Sequence, residues 1–450
     1  MSEASEAAKP STRRVLAASL VGTAVEFYDF YIYATAASLV FGPLFFPASS
    51  PSAQLLSAYA SLGLAFFARP LGAWLFGHYG DRIGRKSTLV ASLMLMGGST
   101  LSIAFLPTYQ MAGWLAPALL CMLRFGQGIG LGGEWGGAAL LAVENAPPNM
   151  RGRFGMFPQL GAPVGFIAAN GLFLILGLLM TPQQFMSWGW RLPFLASAAL
   201  VALGLWVRLK LTETPAFKAA LEQAEPSKVP IAELFREHLA PTLAGTFAAV
   251  ACFATYYLAT AFALGYATAT LGLPKSDVLL AQIVSILFMA VGIVLAGWWS
   301  DIKSPRHVLI AGCLGTIVTG FLTGPLMSAG TLSSITMFLV IALFMMGFVY
   351  GPLGAFLPSL FPSRVRYTGA SLTFNIAGIL GGALTPMMAE FLVSCDRAAD
   401  APCLSLSPGI VESLKATGGL NLVGYYLAAA TTVSLIALWW TRHHDRRIND

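Results

Sequence analysis

The chain has 450 residues, of which 56% are hydrophobic and 10% charged. Soluble domains carry roughly 25% charged residues, and a mean hydropathy of +0.72 leaves too little polar surface for an aqueous globule of this length. The sequence is that of an integral membrane protein, and its net charge of +6 reflects basic loops beside a membrane rather than nucleic-acid binding.

A hydrocarbon core about 30 Å thick takes about 20 helical residues to cross. The polar start, Met1–Ser11, shows no cleavable-signal pattern and leads past Arg13 and Arg14 into the first apolar run. Runs of spanning length lie near 15–45, 55–79, 87–105, 113–143, 154–180 and 190–209. A polar stretch near 210–238 follows, and six more runs lie near 241–271, 278–299, 307–327, 332–360, 367–394 and 419–440. The ten-residue alternation of a membrane barrel is absent. The expected fold is an all-α polytopic membrane protein of twelve transmembrane helices. Residues 1–209 form one six-helix bundle, 210–238 a cytoplasmic linker, and 239–450 a second six-helix bundle.

With the N-terminus inside, cytoplasmic segments hold 20 of the 26 Lys and Arg residues. That asymmetry predicts a multi-pass protein of a cytoplasmic (inner) membrane with both termini in the cytoplasm. Arg191, Lys275, Arg397 and Lys415 fall outside, and Arg69 and Arg124 fall within the bilayer.

The two halves repeat. GHYGDRIGRKSTL begins at Gly77 and GWWSDIKSPRHVL at Gly297; at one constant offset Gly77/Gly297, Asp81/Asp301, Lys86/Arg306 and Leu89/Leu309 coincide. Both segments follow the second helix of their half. The ends of the fourth helices repeat as well, with Glu144, Pro147 and Arg151 standing where Ser359, Pro362 and Arg366 stand. Two related six-helix halves around a cleft are how secondary transporters obtain alternating access.

GHYGDRIGRK resembles the loop motif of the major facilitator superfamily. EFYDFYIYATAA (Glu26–Ala37), FFARPLGAWLFGHYGDRIGRK (Phe66–Lys86), RFGQGIGLGGEWGGAALLAVENAPP (Arg124–Pro148) and SWGWRLPF (Ser187–Phe194) are together similar to its metabolite:proton symporter branch. That branch includes carriers of shikimate, citrate, 2-oxoglutarate and proline/betaine. The resemblance covers essentially the whole chain. It implies two pseudo-symmetric six-helix bundles and a proton-coupled importer of a small organic metabolite. Cofactor, metal and covalent chemistry have no place in it. The expected partners are the substrate, protons and lipid, and the expected unit a functional monomer.

An ionised group inside hydrocarbon is a functional candidate by default. Glu26 and Asp29 lie i,i+3 on the first helix. Asp29 stands about 22 Å along the helix from Arg14, and Arg124 about 15 Å in from the opposite side, so the two reach similar depth. The expected proton site is the Glu26/Asp29 pair with Arg124 as a switchable counter-charge: neighbouring carboxylates raise one another's proton affinity and an approaching Arg lowers it. A static ion pair is the alternative, and Glu26 has the further alternative of a structural partner on a neighbouring helix. Arg69 and Arg124 offer guanidinium forks suited to a carboxylate, so a small carboxylate is the expected substrate. A zwitterion or osmolyte is the alternative, because Arg69 lies in a motif that zwitterion carriers of the branch share. Gly155–Gly165 (GMFPQLGAPVG) resembles a Gly/Pro motif of drug:proton antiporters and keeps export as a third reading.

Candidate polar lining of the cleft comprises Gln127, Gln159, Asn170, Tyr256, Tyr257, Gln282, Tyr350 and Asn375. Such donors and aromatics suit a hydroxylated or carboxylated ligand, and interhelical hydrogen bonding is the competing use of each. Glu134 reads as a helix-contact or gate residue, and Glu390 as a residue that snorkels to water. All five His fall in cytoplasmic segments, and no nucleophile–base pair suggests an enzyme. Cys395 and Cys403 flank a short external segment, where an oxidising exterior allows a disulfide and spacing alone leaves two thiols equally open.

Gly77, Asp81, Arg82, Arg85, Glu144 and Arg151 form the expected cytoplasmic gate, with Asp301 as the counterpart in the second half. Opposite charges at helix ends hold one conformation until partners exchange. Pro305 stands where Arg85 stands in the first half, and Ser359 where Glu144 stands. The expectation is therefore that the C-terminal half lacks this Arg–Glu latch and that inner closure rests mainly on the N-terminal network.

Overall fold

The computed structural model describes residues 12–47, 51–83, 85–132, 134–144, 146–210, 230–362, 365–394 and 416–441. Its long helices are α1 (Thr12–Ala36), α2 (Pro51–Ile83), α3 (Arg85–Ile103), α4 (Leu115–Glu144, interrupted near Gly132), α5 (Arg151–Leu179) and α6 (Leu192–Lys210). The second series is α7 (Leu239–Thr270), α8 (Lys275–Ile302), α9 (Pro305–Ser328), α10 (Leu332–Ser359), α11 (Arg366–Ser394) and α12 (Gly419–Trp440). Among the described residues ten helices are long and apolar enough to cross a membrane; Val90–Ile103 within α3 is a shorter apolar stretch, and α1 carries Glu26 and Asp29.

Side chains facing away from the bundle include Leu178, Leu287, Val318, Phe321 and Ile436, all exposed. A surface of that kind is at home in lipid, where the helix satisfies its own backbone groups. Small residues bring the helices close: a Cβ on Gly72 would stand 2.0 Å from the Ile129 carbonyl oxygen, and one on Gly128 would stand 2.3 Å from that of Ala65. These two positions fix the α2–α4 crossing.

The sequence repeat reappears as a repeat of packing. In the first half α1 packs on α5, α2 on α4, and α3 on α4 and α6. In the second, α7 packs on α11, α8 on α10, and α9 on α10 and α12. The halves meet where α5 lies against α8 and α2 against α11. The centre of α1 and most of α7 are buried. Past Ala36, α1 continues through a π-turn, Ala37–Phe41, into Gly42–Phe45, and α7 holds two such turns, Leu258–Phe262 and Tyr266–Thr270. The turns at Ala37 and Leu258 fall within one residue of the register of the loop repeat. A fourth, Gly378–Ala383, interrupts α11. Wide turns of this kind disturb the i→i−4 ladder and occur frequently at functional sites.

Odd-numbered helices start, and even-numbered helices end, at one face of the bundle, here called the near end; the opposite face is the far end. The linker residues 211–229 and both Cys395 and Cys403 lie outside the described residues.

Candidate functional site

Helix α1 is surrounded on every side, and each face has a different partner. The Tyr28 hydroxyl donates to the Pro193 carbonyl of α6 at 2.9 Å, and the Ser197 hydroxyl of α6 donates to Asp29 Oδ1 at 2.5 Å. Thr35 donates to Asn170 Oδ1 of α5 at 2.5 Å. Tyr31 stacks on Tyr256 of α7 with ring centroids 5.3 Å apart. Phe30 and Tyr33 face α4 and meet Arg124.

Two guanidinium groups converge on one ring. Arg124, with no exposed surface, lies 4.4 Å from the Phe30 centroid and 4.0 Å from that of Tyr33. Arg69 lies 4.6 Å from Phe30 and 4.7 Å from Phe66. Arg124 Nη1 donates to Gln127 Oε1 at 2.9 Å, and Gln127 Nε2 donates in turn to the Thr100 hydroxyl at 2.6 Å. That chain fixes the Arg124 head from α3. Nε of Arg69, and Nε and Nη2 of Arg124, are buried without a hydrogen-bond partner among the described residues. Cation–π contact offsets part of the cost of burying these charges and leaves N–H groups in place to receive an anion. Asp29, 1% exposed, sits on α1 next to Phe30, at the depth of Arg124. Glu26 is half-buried and within electrostatic range of Arg69 and Tyr350.

Beside this cluster, between the halves, lies a small cavity of about 10 Å³, room for about one water. Tyr31, Thr35, Ser38 and Phe166 line it from the first half, and Tyr256, Thr260 and Gln282 from the second. Gln282 Nε2 donates to the carbonyls of Ala259 and Thr260 at 3.1 and 2.7 Å.

The cleft is closed at both ends. At the near end the Asp301 carboxylate of α8 accepts from the backbone N–H of Gly152 and Arg153 at 2.7 and 3.2 Å and pairs with Arg153 Nε at 3.0 Å. Trp135 of α4 stacks on Phe374 of α11 at 3.7 Å, and Asn375 donates to the Gly132 carbonyl at 2.8 Å. Glu144 reaches Arg366 at 3.9 Å with both side chains substantially exposed. At the far end Ser38 and Tyr59 donate to the Ala261 carbonyl at 3.1 and 2.8 Å.

Of the residues expected to line the cleft, Tyr256 and Gln282 line this cavity. Tyr257 packs edge-on against Phe30 and Phe66, close to both guanidiniums. Tyr350 meets Phe27 edge-on. Gln127, Asn170 and Asn375 serve hydrogen bonds between helix segments, and Gln159 accepts from Trp135 Nε1 at 3.3 Å. Sequence reasoning passed over Tyr31, Thr35 and Ser38, whose i, i+4, i+7 spacing on α1 marks one face, and over Phe30, Ser197 and Thr260. At the gate, Arg153 rather than the exposed Arg151 engages Asp301, and Glu390 is buried rather than snorkelling. Asp301, expected at the gate, carries the most buried ionic contact between the halves among the described residues. A carboxylate at a helix N-terminus finds free N–H donors there, partners that the expected Arg–Glu pairing did not include. Gly77, Asp81, Arg82, Arg85 and Glu134 have side chains outside those described.

Comparison with known proteins agrees with this architecture. The Major Facilitator Superfamily profile matches residues 19–386. The chain belongs to the major facilitator superfamily. Within it, the inner membrane metabolite transport protein YhjE of Escherichia coli K12 is 46% identical over 442 residues, covering 97% of this chain and 95% of that protein. The shikimate transporter of the same organism is 36% identical, covering 85% of this chain and 88% of its own. The proline/betaine transporter of Salmonella typhimurium is 29% identical, covering 86% and 78%. Among solved structures, the partially occluded inward-open xylose transporter XylE from E. coli superposes with a TM-score of 0.69 at 17% identity, over 96% of this chain and 98% of that one; at that identity the likeness is one of fold. This superfamily member is thus a multi-pass membrane transporter of metabolites, and its relatives are transporters rather than enzymes.

Proposed function

We propose that the protein is a proton-coupled symporter that imports a small carboxylate by alternating access, with both termini in the cytoplasm. The observation that carries this reading is the pair of buried guanidiniums sharing the Phe30 ring, with N–H groups unmatched among the described residues, beside the buried Asp29. A carboxylate entering the cleft receives charge-assisted hydrogen bonds from Arg69 and Arg124. An anion approaching the guanidiniums weakens their pull on the acids of α1, of which Glu26 lies within range of Arg69, and the acids then take up a proton. Protonation in turn lowers the cost of carrying them through a closed, dry state. Binding of cargo and of proton thereby favour each other.

A second reading has its own support. Tyr31, Phe166 and Tyr256 line the small cavity, and aromatic faces suit a quaternary ammonium, as a zwitterionic osmolyte would present. Counterflow in proteoliposomes against a panel of carboxylates and betaines separates the two. For coupling, Asp29→Asn is expected to abolish accumulation driven by an imposed pH gradient and to retain counterflow exchange. Full pH-driven accumulation in that variant would overturn the proton-coupled reading.

A further inference from the structure

The first π-turn of α7 spends its carbonyls in an uneven way. Those of Ala259 and Thr260 receive Gln282 from the neighbouring α8 of the same half. That of Ala261 accepts the Tyr59 hydroxyl of α2 at 2.8 Å and lies 3.1 Å from the Ser38 hydroxyl of α1, whose single proton it shares with the Ala34 carbonyl at 2.9 Å; both residues belong to the opposite half. Ser38 itself lies in the π-turn of α1, so the two repeat-related irregularities touch each other across the cleft. They do so at the far wall of the cavity, which Ser38, Thr260, Ala261 and Gln282 line. All three groups are buried, where an unmatched carbonyl is costly.

We infer that the Ala261 carbonyl is the far-end latch of transport, with Ser38 and Tyr59 as positioning residues that hold it shut. A carbonyl in a regular helix already accepts the N–H four residues on, and a wide turn disturbs that ladder, leaving a carbonyl readier for a partner across a cleft. The π-turn supplies one, and it is satisfied from the other half only while the far end is closed. Opening the far end separates α1 and α2 from α7 and breaks both bonds at once, so they bias the equilibrium between far-closed and far-open states. Gln282 stays with Ala259 and Thr260 through that motion, because donor and acceptors belong to one half, and it keeps the turn from relaxing. The inference depends on neither the substrate class nor the coupling ion.

Hydrogen–deuterium exchange on the purified full-length protein tests it, with wild type, Ser38→Ala, Tyr59→Phe, their combination, Ser38→Thr, and Thr268→Val as control. Thr268 bonds only within its own helix end, to the carbonyls of Leu264 and Gly265. Removing one neutral hydrogen bond corresponds to about a five-fold shift in an equilibrium. Exchange in the segment 258–270 is expected to quicken about five-fold in Tyr59→Phe, by less in Ser38→Ala, whose proton is shared with the Ala34 carbonyl, and further in the combination. Ser38→Thr and Thr268→Val should match wild type. The near-end segment 150–156 should become slower in the same variants, because a population moved toward far-open is moved toward near-closed. Loosening of both ends together means general destabilisation and overturns the inference, as does unchanged exchange in 258–270. Should the combined variant fail to fold, the two single variants decide the matter by the same readings.

Discussion

Phe30 gathers two guanidinium groups around one aromatic ring, an arrangement that only the closed core of a membrane bundle makes consequential. In water each contact would be worth less than about 1 kcal/mol, and desolvation raises it. The acids of α1 and the arginines of α2 and α4 were legible from sequence because charge is rare in spans. Phe30 was not, because an aromatic residue in an apolar run carries no mark of what rests on it. The same holds for Ser197, one hydroxyl among many until it meets Asp29. Glycines show the converse, a residue whose role is set by its neighbour's backbone. Gly72→Ala would place a methyl 2.0 Å from the Ile129 carbonyl oxygen, whereas Gly98 has open space around it. Gly72→Ala is therefore expected to destabilise by about 1–3 kcal/mol or more. Gly98→Ala should be neutral or stabilising by about 0.5–1 kcal/mol, as expected for Gly→Ala inside a helix. Thermal melting of the two variants side by side checks both.

At the scale of helices, the near end is held by unlike contacts. Asp301 caps the start of α5 with its side chain only 5% exposed, while the Glu144–Arg366 pair at 3.9 Å is largely solvated. A hydrogen bond to a buried charge contributes about 1.5–3 kcal/mol, and an exposed ion pair about 0–1 kcal/mol. Asp301→Asn is thus expected to raise the near-open population at least about ten-fold, and Glu144→Gln no more than about five-fold on the same scales. Distance measurements by paired spin labels on the near ends of α5 and α8 read this directly; equal effects would refute it. The motif repeat pointed to Asp301, and the missing Arg85 and Glu144 counterparts pointed away from it. What the motif could not convey is that the carboxylate's partners are backbone N–H groups, which every residue type supplies and no sequence pattern flags.

For the molecule as a whole, two related six-helix halves meet along α5–α8 and α2–α11, shut at both ends around a cavity with room for about one water. A metabolite enters only if the halves part, so rigid-body motion about this interface is required. On the orientation proposed from the Lys/Arg asymmetry, the near end faces the cytoplasm. A protease or tag-specific label added to right-side-out vesicles is accordingly expected to leave both termini intact and to reach them only after permeabilisation. The sequence by itself determined the class, the spans, the repeat and the buried charges, since each follows from hydropathy and from the cost of charge in lipid, which act residue by residue. Tertiary structure alone decided which faces meet: that Arg69 and Arg124 share a ring, that Asp29 is held by Ser197, and that Ala261 is held from the opposite half. Those outcomes depend on helix rotation and on backbone groups freed by irregular turns, and neither leaves a trace in the order of side chains.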